Sequence, residues 1–315
     1  MITLHDALPQ YVSIRRALGT KLQEPARTLV DFVNFMERER AAFITTELAL
    51  RWAMKPQGVQ RATWGRRLSM VRKFAAWLST IDSRTEVPPG RLLAGRQRRK
   101  PPHIYSDREI EQLMAEAARL PSSSGLRPIT YKTLIGLLTS TGLRPQEALA
   151  LNKADVDLET GILAIRQTKF GKSRFVPVDD STRRALARYA KQRDRLDRRR
   201  ATEAFLVSER GQRLAPSSTR KTFATLSCAI GLRPPARKGR SGRGPRLQDF
   251  RHSFVTRRLI NWYRAGRDVE RELPKLATYV GHVDPVHTYW YIQAVPELLQ
   301  LAAERLDGRR PGGER

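Results

Sequence analysis

Between residues 83 and 105 the chain runs SRTEVPPGRLLAGRQRRKPPHIY, a stretch dense in proline, glycine and arginine and without helical or strand periodicity. Such a segment cannot extend a helix or enter a sheet interior, so the chain is expected to fold as two bodies joined by a basic linker over residues 83–104. With 315 residues in all, both flanks have enough length to bury a core. The expected organisation is a helical domain over residues 1–82 and a second domain over residues 105–315.

The first flank is patterned for helices. PARTLVDFVNFMERER, TTELALRWAM and QRATWGRRLSMVRKFAAWLS each carry apolar residues at helical spacing. In the last of these, Trp64, Leu68, Val71, Ala75 and Leu78 share one face, while Arg66, Ser69 and Lys73 fall on the other. A basic face is ordinarily a solvated one. Here the chain as a whole holds 59 Lys and Arg against 31 Asp and Glu, a formal charge of +28, which favours a polyanionic partner. Arg61, Arg66, Arg67 and Lys73 are therefore the candidate DNA contacts of this domain. A single cysteine, Cys228, excludes an intramolecular disulfide and any multi-cysteine metal site, and its apolar context TFATLSCAIGL predicts a core position. No apolar run has the length of a membrane span, and the first residues lack a secretory pattern.

The second flank predicts a mainly α fold with a small β-hairpin. GILAIRQTKFGKSRFVPVD places two β-rich runs around Lys169, Phe170, Gly171 and Lys172, and AFLVSERG is a candidate short strand. Near the end, VPELLQLAAERL is an amphipathic helix, folded on its own core or docked on a neighbouring copy.

Charged and aromatic residues in this flank recur in suggestive positions. In TSTGLRPQEALAL, Arg144 follows a glycine turn and precedes a helix, with Glu147 three residues on; in LQDFRHSFVTRRL, Phe250, Phe254 and Leu259 anchor a helix that directs Arg251 elsewhere. Taken alone, an arginine at a helix start is an ordinary surface residue. His252 reads as a packing or supporting residue. Further on, VGHVDPVHTYWYI brings His282, His287, Tyr289, Trp290 and Tyr291 together. On a helix Tyr289 and Tyr291 point about 200° apart, so only one of them can serve a given site.

Taken in order, TGLRPQE, TKFGKSRFVPV, QDFRHSF, VGH and TYWYI resemble the active-site motifs of the tyrosine recombinases, the family of phage integrases and Xer-type resolvases. The resemblance spans most of the second domain, and the helical, basic first domain resembles the family's core-binding domain. It implies Arg144, Lys169, Arg251, His282 and Tyr291 as catalytic residues, with Glu147 orienting its neighbours. The family's nine-residue interval from the histidine of its GH lands on Tyr291, which leaves Tyr289 and Trp290 to packing and His287 as a flank. Gln248 stands where the family usually has histidine, and it can hydrogen-bond but cannot take a proton near neutral pH.

The resemblance further implies DNA cleavage and rejoining through a 3′-phosphotyrosyl intermediate, with no metal or other cofactor. The implied partner is double-stranded DNA with paired recombination sites, bound by a homotetramer with or without accessory proteins in a bacterial-type cytoplasm, associated with the nucleoid. The role is an integrase or the transposase of a mobile element; the competing readings are a catalytically idle DNA-binding relative and a type IB topoisomerase.

Overall fold

A computed structural model of the chain describes residues 2–20, 22–93, 101–166, 173–196, 202–235, 244–281 and 296–308, the last four by backbone alone. It divides into two compact units, Met1–Lys100 and Pro101–Arg315.

The first unit holds four helices: α1 (Leu4–Ala17), α2 (Gln23–Arg38), α3 (Thr46–Met54) and α4 (Arg61–Leu78). Two begin at threonines whose hydroxyls accept orphan backbone amides, Thr3 from Asp6 and Thr45 from Leu48. Each helix contributes an apolar face to one core that contains Tyr11, Phe32, Met36, Trp52, Phe74 and Leu78. On α4 the buried face holds Leu68, Val71, Ala75 and Leu78, as the periodicity predicts, together with Phe74, which is not among those predicted, and without Trp64. Trp64 is only half-buried, and its indole donates to the Pro56 carbonyl at 2.9 Å. Burying a side chain such as Phe74 contributes about 2–3 kcal/mol each.

The segment expected to be a linker from residue 83 onward is bound to this unit as far as Leu93. Arg72 of α4 donates to the carbonyls of Pro88 and Pro89 at 2.8 and 3.0 Å, and the Glu86 amide donates to the Ile44 carbonyl at 2.8 Å. Gly65 approaches so closely that a Cβ there would stand 2.8 Å from the Leu93 carbonyl oxygen. Prolines lack an amide for regular structure, but their carbonyls still need donors, and a neighbouring helix supplies them.

The second unit is built round α6 (Leu126–Thr141), a helix buried on most of its circumference. Against it pack α5 (Asp107–Ala118), α8 (Asp180–Leu196) and α10 (Asp249–Arg264), and α9 (Pro216–Ala229) lies on α5. Tyr105 opens the unit: its ring stacks on Phe250 with centroids 4.3 Å apart, and its amide donates to Ser253 Oγ at 2.8 Å. A short α7 (Pro145–Ala150) follows α6 and leads into a three-stranded antiparallel sheet of β1 (Val156–Asp157), β2 (Ile162–Ile165) and β3 (Arg174–Pro177). Leu163 pairs with Val176 on the buried face, while Ile162 and Phe175 face outward. The predicted hairpin strands are therefore present, and their connection, with Lys169, lies outside the described residues. AFLVSERG forms no strand of its own; it supplies isolated bridges from Ala204 to Asn152 and from Val207 to Arg213.

One position departs from the expectation, and one open alternative is decided. Cys228 is half-buried rather than core, because it lies on the side of α9 away from Phe223 and Leu226. The last helix, α12 (Pro296–Gly308), folds onto its own unit: Leu298 is fully buried with Phe254, Leu259 and Leu276, α11 (Val269–Val280) contributing the last of these. Arg264 adds an ion pair to Glu297 at 2.8 Å. Among the described residues no helix is long and apolar enough to cross a membrane.

Candidate active site

Arg144 occupies the cap position of α7, in extended backbone after the left-handed Gly142 and before Pro145, whose fixed φ suits a first helical residue. Glu147, three residues on, accepts the Arg144 amide at 3.0 Å and Arg144 Nη1 at 2.7 Å. A second arginine, Arg174 on β3, grips the same carboxylate from the other side, with Nη1 and Nη2 at 3.2 and 2.8 Å from its two oxygens. Two guanidiniums thus share one buried carboxylate, which leaves this corner of the unit with an excess positive charge. Burial opposes ionisation of Glu147, but the hydrogen bonds and charges of Arg174 and Arg144 outweigh it and hold the carboxyl below its usual range.

Both arginines also hold the end of α11. Arg174 Nε donates to the Tyr279 carbonyl at 2.9 Å and Arg144 Nη2 to the Gly281 carbonyl at 2.9 Å. Gly281 closes the helix with φ +71°, and a Cβ on it would stand 2.7 Å from Arg174 Nη1. The glycine of the VGH motif is therefore required twice, by backbone and by packing. Cations at a helix C-terminus meet the negative end of its dipole.

Arg251 lies in the first turn of α10 and is almost fully buried; its Nη1 donates to the Gly142 carbonyl at 3.1 Å. The structure thereby ties the two arginines of the motif set together, Arg251 holding the turn from which Arg144 emerges. Gln248 caps α10 and its carbonyl accepts the Arg251 amide at 3.2 Å. Its half-exposed side-chain amide has no hydrogen-bond partner among the described residues. The imidazole of His252 is held down at about 4 by burial, then by the charges of Arg251 and Arg246, so it is neutral at pH 7. Tyr279 is nearby, but burial pushes its phenol up to about 12 and its hydroxyl donates to Pro177 O at 3.1 Å. Lys169, His282, His287, Tyr289, Trp290 and Tyr291 lie outside the described residues.

Arg174 is the site residue that sequence reasoning misses. The available signal is its register: it shares the inward face of β3 with the buried Val176, and an arginine at a core-facing strand position needs a partner. In the first unit, Arg61, Arg66 and Lys73 are exposed, and Arg66 pairs with Glu24 at 3.0 Å. Arg67 has a different place from the one expected. Its guanidinium stacks 3.8 Å from the Trp52 ring and binds Asp31 and the Trp52 carbonyl, which makes it part of the fold of that unit.

A family model described as the phage integrase family matches residues 105–297. The chain belongs to that family, the tyrosine recombinases, enzymes that cleave and rejoin DNA. It is 44% identical over 313 residues to y4rB of Sinorhizobium fredii, whose name places it among integrases and recombinases, with 98% of both chains covered. To the tyrosine recombinase XerD of Caulobacter vibrioides it is 30% identical over 302 residues, covering 93% of this chain and 92% of that one. Among solved structures it is similar in fold to the Tn1549 transposon integrase in complex with transposon right end DNA, with a TM-score of 0.67 at 15% identity over 98% of this chain and 100% of the other.

Proposed function

We propose that this protein is a site-specific recombinase, of integrase or transposase type, that cuts and rejoins double-stranded DNA through a 3′-phosphotyrosyl intermediate on Tyr291. The observation that carries this reading is the hold of Arg251 on the Gly142 carbonyl, two residues before Arg144, with one carboxylate divided between Arg144 and Arg174. A phosphodiester resists nucleophiles because its charged oxygens repel them, and two fixed guanidiniums neutralise that charge as it grows in the transition state.

In this scheme the Tyr291 phenol oxygen attacks phosphorus and the bond to the deoxyribose 5′-oxygen breaks. Lys169 gives its proton to that leaving oxygen. The new phosphotyrosyl ester keeps the energy of the broken phosphodiester bond for rejoining: a 5′-hydroxyl of the partner strand attacks phosphorus, the P–O(Tyr291) bond breaks and the phenol leaves. His282 hydrogen-bonds the scissile phosphate. Gln248, whose side-chain amide has no hydrogen-bond partner among the described residues, holds a phosphate oxygen or the phenol, and the phenolic proton passes to water or to the phosphate itself. The exposed cations of α4 hold the duplex. The working form is a homotetramer on two DNA sites in a bacterial-type cytoplasm; accessory proteins remain compatible with it. Support for the DNA partner comes from the net charge of +28 and from the DNA held by the Tn1549 integrase, which is similar in fold.

The test is strand exchange between two duplexes carrying the DNA that flanks the gene. Recombinant product joined at one defined position supports the reading. Binding without cleavage would favour an idle relative, and relaxation of a supercoiled circle without paired sites would favour a type IB topoisomerase.

A further inference from the structure

Arg174 belongs to three pieces of chain at once. It stands on β3, five residues after Lys169; it grips Glu147 at the start of α7; and it binds the end of α11 through the Tyr279 carbonyl, three residues before His282, with its guanidinium close under Gly281. Its side chain is only 11% exposed, so it faces these groups and not solvent. The planar fork matters here, because one guanidinium meets both Glu147 oxygens and, through Nε, a backbone carbonyl. Glu147, fixed from that side, presents Oε1 to Arg144 at 2.7 Å, and Arg144 is fixed a second time by the Gly281 carbonyl at 2.9 Å.

We propose that Arg174 is a positioning residue for the cleavage step: by clamping Glu147 and the end of α11 it aims the Arg144 guanidinium at the scissile phosphate. This rests on the recombinase reading above. A lysine at position 174 keeps the charge but reaches with one nitrogen, so it cannot hold both carboxylate oxygens and the Tyr279 carbonyl in one plane. Glu147 is then free to swing, and Arg144 swings with it. The consequence falls on transition-state charge and not on the grip on the duplex.

The experiment compares the full-length protein with its Arg174→Lys variant in single-turnover cleavage of a nicked suicide duplex, at saturating protein and below both melting temperatures. Two substrates are used: the ordinary scissile phosphodiester, and a methylphosphonate in which a methyl group replaces one non-bridging oxygen and removes the charge that Arg144 neutralises. On the phosphodiester, Arg174→Lys is expected to cleave roughly 10- to 100-fold more slowly, with duplex Kd changed less than about 3-fold. On the methylphosphonate the deficit is expected to shrink to about 3-fold or less, because there is less charge to neutralise.

An equal deficit on both substrates, or no deficit on either, overturns the positioning role. If Arg174→Lys does not fold, Glu147→Gln, which weakens the same clamp from its centre, must show the same substrate-dependent deficit; an equal loss on both substrates again overturns it. Failure of the unmodified protein to form any adduct removes the recombinase reading and this inference together, whereas adduct formation with an unaffected variant removes the inference alone.

Discussion

Gly142 lies so close to Phe254 that a Cβ on residue 142 would stand 2.5 Å from the ring Cδ1. The same residue sits at φ +61° and offers its carbonyl to Arg251 at 3.1 Å. One glycine thus joins the end of α6, the buried arginine of α10 and the turn that launches Arg144. Gly142→Ala is expected to destabilise the protein by about 3 kcal/mol, from left-handed strain together with overpacking. Urea unfolding monitored by circular dichroism measures this, and a change below about 1 kcal/mol would contradict the packing described.

The exposed and the packed cations of α4 make separable predictions. Arg66 and Lys73 lie on the outer face, so Arg66→Ala with Lys73→Ala should reduce the salt slope of duplex binding by about 1.8, at about 0.9 for each phosphate no longer neutralised, and leave stability nearly unchanged, since the Arg66–Glu24 pair is solvated. Arg67→Ala should act the other way. Without the stack on Trp52 and two hydrogen bonds, stability falls by about 1–2 kcal/mol with little change in slope. Binding titrations across a salt series, paired with unfolding curves, separate the two behaviours.

Gln248 is expected to act on chemistry and not on affinity. Gln248→Ala should slow single-turnover cleavage by roughly one to two orders of magnitude at unchanged duplex binding, the scale of one transition-state hydrogen bond. Gln248→His should be tolerated and can speed cleavage above neutral pH by accepting the phenolic proton. Equal rates for the unmodified and alanine forms would place Gln248 outside the active site.

Acid sensitivity should trace in part to His252. Folded, it takes its proton only near pH 4; unfolded, near 6.5. Between those values the unfolded chain carries the extra proton, so stability is lost as pH falls through this window. His252→Asn should shrink the stability difference between about pH 7 and about pH 4.5 by on the order of 2 kcal/mol, after allowance for partial exposure. Urea midpoints at the two pH values report it.

Which parts of this architecture can be read from sequence follows from the range of the interactions involved. The buried stripe of α4 is legible because helical periodicity is a local property, and Gly142, Arg144 and Glu147 are legible because a turn, a cap and its carboxylate lie within six residues. The attachment of residues 86–93 is not, because proline carbonyls held by Arg72 depend on a helix formed elsewhere in the chain. Arg174 escapes a sequence reading for the same reason: its partners Glu147 and Tyr279 are 27 and 105 residues away. Arg67 is misplaced by such a reading because a charge on a basic helix looks solvated until the Trp52 ring is known to lie under it.

The account rests most heavily on Tyr291 as the nucleophile, and trapping on a nicked suicide duplex tests it directly. The unmodified protein and Tyr289→Phe should both yield a covalent protein–DNA adduct, with the 3′-phosphate found on Tyr291 by peptide mapping, while Tyr291→Phe binds the same duplex and yields none. A protease-sensitive adduct formed by Tyr291→Phe would contradict the assignment.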